Sequence, residues 1–229
     1  MNKKFLKHII PTLLIAMLFL SIYIIIFYSK EYKKDETSHI DIKTLDSISE
    51  PIPVEVKTIE DIYEEAILEM QTKMDDLNAN VTDKKQWFIG YKEIITEYEG
   101  IIDPPETIYD YYTEDELNML FRVVQAEIGD EYSFEQKCNV ASVIFNRLAH
   151  DEFENEMLKV LTSDQFSTIS NGRYKNVDVS EETILACEYV FCIEDTTDGC
   201  LFFDSNESLK YEFVFNDGAH NFYKIKGEN

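Results

Sequence analysis

The sequence predicts a mainly α-helical protein in three parts: a cytoplasmic N-terminus with a transmembrane anchor over 1–29, an acidic linker and helical hairpin stalk over 30–110, and a C-terminal domain over 111–229. Two observations carry that reading. Near the N-terminus the run Ile9–Tyr28 holds no charged residue, the mark of a bilayer-spanning helix. Further on, apolar residues return every three or four positions in segments that open on Ser, Thr or Asp and close on Gly, Asn or Pro, the mark of amphipathic helices with their caps and stops.

A helix over Ile9–Tyr28 is about 30 Å long, the thickness of a bilayer's hydrocarbon core. Pro11 falls near its start, where a missing N–H costs little, and Tyr23, Phe27 and Tyr28 suit the far interface. Lys3, Lys4 and Lys7 precede the run, and Lys30, Lys33 and Lys34 follow it. The basic flanks nearly balance; the N-terminal amine and the acids Glu31, Asp35 and Glu36 tip the orientation towards N-terminus inside. The expectation is a single-pass cell-membrane protein whose C-terminal domain is extracytoplasmic. A cleaved signal peptide is the competing reading. The run is long for one, and no small-x-small site follows it.

The charge is lopsided, with 45 acidic against 21 basic side chains and a formal net charge of -24. Such a field repels polyanions, which excludes nucleic acid as a partner, and it keeps a crowded membrane-surface protein soluble. Cys138, Cys187, Cys192 and Cys200 lack the close pairing of a zinc site. Buried free thiols are expected, with a Cys192–Cys200 disulfide as the alternative outside the cytoplasm. His8, His39, His150 and His220 are scattered, so no metal site and no cofactor are expected.

After a polar tether broken by Pro51 and Pro53, Ile59, Ile62, Tyr63, Ala66, Ile67, Met70, Met74 and Leu77 recur at helical spacing, opposite Glu60, Asp61, Glu64, Glu65 and Glu69. Asn78-Ala79-Asn80 reads as the break. A second helix is predicted from Asp83 to Tyr98, capped by Asp83 or Thr82, with Trp87, Tyr91, Ile94, Ile95 and Tyr98 on one side. Gly100 and Asp103-Pro104-Pro105 end it. The pair suits an antiparallel hairpin docked on the C-terminal domain, or a self-association or partner contact. Packing is the plainer role for its Met and aromatic stripe.

Thr113-Glu114-Asp115-Glu116 has the form of a capping box, and Leu117, Leu120, Phe121 and Val124 continue it as an apolar stripe to a stop at Gly129. Glu127 therefore sits at the C-terminal end of a helix, where the helix dipole disfavours negative charge. A carboxyl kept protonated near neutral pH is what a glycosidic leaving group requires. The plainer reading is one more solvated acid in an acid-rich chain. The next helix, Phe134 to Leu148, is apolar enough through Val140, Ala141, Val143, Ile144 and Phe145 to be central, and Asn146-Arg147 at its end can tie down a neighbouring loop. Asp164-Gln165-Phe166-Ser167 lies in a loop, another helix is predicted from Ser180 to Cys192, and the chain closes on Gly218-Ala219-His220-Asn221-Phe222-Tyr223.

These segments together resemble the bacterial cell-wall hydrolase family that includes the spore cortex-lytic enzymes. The resemblance rests on Ala126-Glu127 with Glu131, on Val143-Ile144-Phe145-Asn146-Arg147, on Gln165-Phe166-Ser167, on Leu201-Phe202-Phe203, and on Gly218, His220, Phe222 and Tyr223, in family order from about Glu114 to Lys224. It implies a lysozyme-like catalytic domain over 111–229, mainly helical with a small β or loop region, acting on peptidoglycan glycan strands. The family's catalytic glutamate falls on Glu127. Glu131, Gln165, Ser167, His220 and Tyr223 are the substrate-binding residues it suggests. Gln165 and Ser167 would hydrogen-bond the sugar or its N-acetyl group; His220 has a structural reading of equal weight; Phe166 and Phe222 read first as core. This chain departs from the family in carrying Ile128-Gly129-Asp130 where an Ala-Arg-Gly run usually stands, and in a spacing to Asn146 one residue longer.

Glycosidases commonly use two carboxylates, and Glu131, Asp164 and Asp217 are the available second acids. The single-glutamate alternative is lytic transglycosylation between N-acetylmuramic acid and N-acetylglucosamine, which the resemblance supports. Two further readings stay open. One is a zinc-dependent amidase cutting the peptide stem, against which the scattered histidines speak. The other is a non-catalytic, membrane-tethered wall-binding adaptor, which the acidic stalk would suit.

Overall fold

The computed structural model describes residues 57–206 and 210–227. The uncharged run Ile9–Tyr28 and most of the tether lie outside the described residues. No helix among those described is long and apolar enough to cross a membrane.

Helix α1, Ile59–Asn80, starts at a capping box in which Thr58 and Asp61 exchange side-chain and backbone bonds. It runs through Asn78-Ala79-Asn80 rather than breaking there: Val81 N–H still bonds the Leu77 carbonyl, and the Asn80 amide reaches back to the Asp76 carbonyl at 2.8 Å. Helix α2, Lys84–Glu97, is capped by Asp83. The partners run in opposite order along the two helices. Trp87 Nε1 donates to Asn78 at 2.9 Å, and Lys73 pairs with Glu97 at 2.6 Å, so the pair is an antiparallel hairpin. Gly90 permits the approach, since a Cβ there would meet Leu77 Cδ1 at 2.8 Å.

The hairpin is docked. Phe88 of α2 is buried edge-on against Tyr189, and Lys84, Lys85 and Lys92 pair with Glu194, Glu182 and Glu188. Residue 110 is therefore not a packing boundary. Phe88 and Ile108 lie in the same core as Leu120, Val124 and Ile144. The linker between them looks like a domain junction in sequence because its prolines and acids are local signals, whereas the packing is long-range.

The core is built around three helices: α4, Glu114–Ile128; α5, Phe134–Leu148; and α8, Glu181–Cys192. Short helices α3, Ile108–Tyr111; α6, Met157–Val160; and α7, Ser167–Ser170 fill the gaps, with a 3-10 turn at Arg173–Asn176. Helix α5 is the central one, buried on nearly every side. Most of its buried polar groups are matched, with Arg147 Nη1 the one side-chain atom of this helix that is buried without a partner among the described residues. Lys137 pairs with Glu182 at 2.9 Å, Ser142 and Asn139 bond Thr196, and Arg147 Nε donates to the Leu201 carbonyl at 2.7 Å. A buried polar group left without such partners would cost about 1–3 kcal/mol. All four cysteines are free thiols, three of them buried. Burial pushes the thiols up from their ordinary value, to about 11 at Cys192 and about 12 at Cys200, which keeps them protonated.

The small β region is an antiparallel sheet of β1, Phe202–Asp204; β2, Glu212–Asn216; and β3, Asn221–Lys224, in the order β1-β3-β2. Phe222 of β3 is fully buried with Val143 and Cys200, and Phe215 stacks on it at 4.7 Å. Asp217 closes the β2–β3 turn by accepting from the backbone N–H of Ala219 and His220.

Candidate active site

The C-terminal end of α4 is fixed from several directions. Gln125, 5% exposed, accepts at one oxygen from Ser180 N, Ser180 Oγ and Thr183 Oγ1, at 3.1, 3.0 and 2.6 Å, and donates to Asp130 at 2.9 Å. This joins the end of α4 to the start of α8. The Arg173 guanidinium donates to the Ala126 carbonyl, supplying a cation to a helix end whose carbonyls lack partners. Gly129 then turns the chain away at φ 73° and ψ 179°, a backbone region close to exclusive to glycine.

Glu127 projects from this clamped end, half-buried. Its Oε1 accepts from Thr168 Oγ1 at 2.6 Å and, weakly, from Thr168 N at 3.4 Å. Among the described residues Thr168 is its one hydrogen-bond donor, and no donor reaches Oε2. Arg147 and His220 both feel the Glu127 charge. Arg147 is 4% exposed, with its guanidinium among the rings of Phe153, Phe166 and Phe202 at 5.3, 4.9 and 5.5 Å. Burial holds His220 below the ordinary histidine value, against the opposing pull of Asp217, Glu127 and Asp204. Its ring packs edge-on to Phe203 at 5.0 Å, and its buried Nδ1 has no partner among the described residues.

The structure thus gathers Glu127, Thr168, Arg147 and His220. Gln165 and Ser167 are exposed on the chain that delivers Thr168, with Ser167 its immediate neighbour. Glu131 is exposed, and its carboxylate lies over Gly129, where an added Cβ would sit 2.5 Å from Oε2. Tyr223 is 1% exposed, and its hydroxyl donates to the Asn206 carbonyl at 3.0 Å. Of the other candidate acids, Asp217 is spent on its turn and on Asn139, and Asp164 is exposed. Among the described residues no group of three or more His, Cys, Asp and Glu is arranged to hold a metal ion.

Thr168, Gln125 and Arg173 escaped the reading of the sequence. Thr168 directly follows the Gln165-Phe166-Ser167 motif, and that adjacency was the available signal. Nothing local marks Gln125 or Arg173 for this role, because the partners through which they clamp the helix end are 47 or more residues away.

A groove of about 620 Å³ opens beside α4, and none of the residues just named lines it. Asn118, on its wall, is nine positions from Glu127, about half a turn around the helix at roughly 100° per residue. This groove and the clamped carboxylate are therefore on opposite sides of α4. Hydrogen bonding and helix-end placement, not volume, single out Glu127.

Comparison with solved structures finds the catalytic domain of the germination-specific lytic transglycosylase SleB from Bacillus anthracis, at 20% identity and a TM-score of 0.46, covering 51% of this chain and 100% of that one. The catalytic domain of the Bacillus cereus SleB protein is matched at 19% identity and a TM-score of 0.44, covering 49% of this chain and 92% of that one. No protein of curated function matches the sequence. The Cell Wall Hydrolase family model matches residues 131–227, a span that begins just after Glu127 and contains every other motif of the resemblance except Ala126-Glu127 itself. Over residues 131–227, less than half of its length, this chain is similar to the cell wall hydrolase family.

Proposed function

We propose that the chain is a membrane-anchored peptidoglycan glycosidase that cleaves glycan strands between N-acetylmuramic acid and N-acetylglucosamine as a lytic transglycosylase, with Glu127 as acid and then base. The supporting observation is the clamped, half-buried Glu127 with one oxygen engaged by Thr168 and the other open. In the first step the Glu127 carboxylic acid gives its proton to the glycosidic oxygen as the bond to the muramic C1 breaks. In the second, the resulting carboxylate takes the proton of the muramic acid's own 6-hydroxyl, whose oxygen bonds to C1 and closes a 1,6-anhydro ring. The nucleophile is part of the substrate, so the reaction gains from proximity and needs no activated water. Ser167 and Gln165 supply exposed polar groups beside Thr168 for the sugar.

The uncharged run Ile9–Tyr28 supports the membrane anchor, with the domain on the extracytoplasmic side where its substrate lies. A hydrolytic muramidase is the second reading, favoured by the carboxylate of Glu131 close to the same helix end.

Mass spectrometry of peptidoglycan digested by the full chain in detergent separates the readings. The expected products end in 1,6-anhydro-muramic acid. Reducing muramic ends would mean a muramidase, free stem peptides an amidase, and no cleavage of several wall types a binding protein without this chemistry.

A further inference from the structure

The groove on the far side of α4 lies between α3, α4, residues 177–179 and α8, and the site around Glu127 leaves it unexplained. Among the residues that line it is a guanidinium held in place before any ligand arrives. Arg122 Nε donates to Asn118 Oδ1 at 3.0 Å, and Nη1 to the carbonyls of Val177 and Lys175 at 3.1 and 3.4 Å. Arg122 Nη2 and the Asn118 amide nitrogen donate to no described residue. Two neighbouring donor groups, one of them a fixed guanidinium, match a carboxylate.

The walls are aromatic and pre-set. Tyr112 is wedged near Phe145 and Phe191 with ring centroids at 6.3 and 6.1 Å, and the Tyr109 hydroxyl is held by Glu188 at 2.8 Å. Rings already fixed lose little freedom on binding, which favours a flat, partly apolar ligand such as a sugar face. At the rim, the exposed carboxylates of Glu114 and Asp178 accept from hydroxyl or ammonium groups. The ligand these features describe has a carboxylate, a flat ring, and hydroxyl or ammonium donors. In a wall polymer that is the sugar–peptide unit.

Resting on the reading of this domain as one that acts on peptidoglycan, we propose that the groove of Tyr109, Tyr112, Asn118 and Arg122 is a second, non-catalytic site for a muropeptide, gripped through its carboxylate. A second grip on the opposite side of α4 holds the enzyme on the wall while Glu127 meets successive glycan bonds.

The test is calorimetric binding of a purified monomeric disaccharide–peptide to the full chain in detergent, carrying Glu127→Gln so that no ligand is consumed. The comparison ligand is the same compound with its carboxyls amidated. Asn118→Ala is solvent-exposed and should fold as the parent does; Arg122→Gln probes the cation directly. Each is expected to weaken binding about tenfold or more, the scale of one charge-assisted hydrogen bond, and the amidated ligand should bind every form weakly. Unchanged affinity in Asn118→Ala and Arg122→Gln, equal binding of the amidated ligand, or no binding by the parent would each overturn the site. Cleavage is not scored here. A wild-type chain that binds through Asn118 yet cuts no glycan would sink the glycosidase reading and leave this site standing.

Discussion

The two ends of α4 both carry acids, but under opposite physical terms. At the N-terminal end Glu114, Asp115 and Glu116 face unpaired backbone N–H groups and the favourable end of the helix dipole, and Thr113 and Glu116 bond each other's backbone at 3.4 and 2.9 Å. At the C-terminal end Glu127 meets the unfavourable end of the same dipole, and the fold surrounds it with long-range support from Thr168, Gln125 and Arg173. Acids at the first end stabilise the helix they sit on. An acid at the second end does not, so its presence there points to chemistry rather than to folding.

The largest test of that contrast is Glu127→Gln. The amide keeps the shape and can still accept from Thr168, so the thermal midpoint should stay close to that of the parent. The group can no longer donate and retake a proton, and glycan cleavage should fall by about 10²–10⁴, the usual worth of a positioned acid–base group. Glu116→Gln at the other end should leave cleavage unchanged. Turnover retained in Glu127→Gln would end the assignment.

A middle-sized effect tests how the C-terminal end is shaped. Gly129 adopts φ 73° and ψ 179°, and a Cβ there would come within 2.5 Å of the Glu131 carboxylate. Gly129→Ala should cost about 1–3 kcal/mol from the backbone region alone, read as a lower unfolding midpoint in denaturant. Adding Glu131→Ala removes the collision but not the torsional strain. The double variant should therefore recover part of the loss and not all of it. Full recovery would show that the turn is set by Glu131 rather than by backbone geometry.

How much of this was legible in sequence follows the same divide between local and distant causes. Helix α4 could be read from Thr113 to Gly129 because a cap, an apolar stripe and a glycine stop are all local. Helix α5 could be read as central because its apolar content exceeds one face. The placing of Glu127 at a helix end followed from those boundaries. Its setting did not: Thr168 is 41 positions away, and Gln125 meets Ser180 and Thr183 at separations of 55 and 58. Distance also explains the junction expected near residue 110, since nothing beside Phe88 in sequence announces that it packs on Tyr189. The helix reaches the last residue of Asn78-Ala79-Asn80 before it stops, for the opposite reason. Asparagines favour stops, yet here Asn80 bonds the Asp76 carbonyl and Asn78 accepts from Trp87, so both are used within the hairpin.

The smallest expected effect belongs to the N-terminal end and carries a pH signature. Thr113→Ala removes one half of the capping box and should cost about 1 kcal/mol. The bonds from Thr113 N–H and hydroxyl hold the Glu116 carboxyl below the ordinary glutamate value. A carboxyl lowered in the folded state binds fewer protons there than in the unfolded chain. Its contribution is therefore present above the ordinary glutamate range and lost as pH falls through the lowered one. Glu116 is partly exposed at the surface, so screening keeps this contribution small. The difference in thermal midpoint between the parent and Thr113→Ala should accordingly be greatest near neutral pH and shrink on acidification below the glutamate range. A difference that stays constant with pH would mean that the hydroxyl's bond to the Glu116 N–H, which does not titrate, carries the cap, and that Glu116 contributes to the helix only through its place near the dipole's positive end.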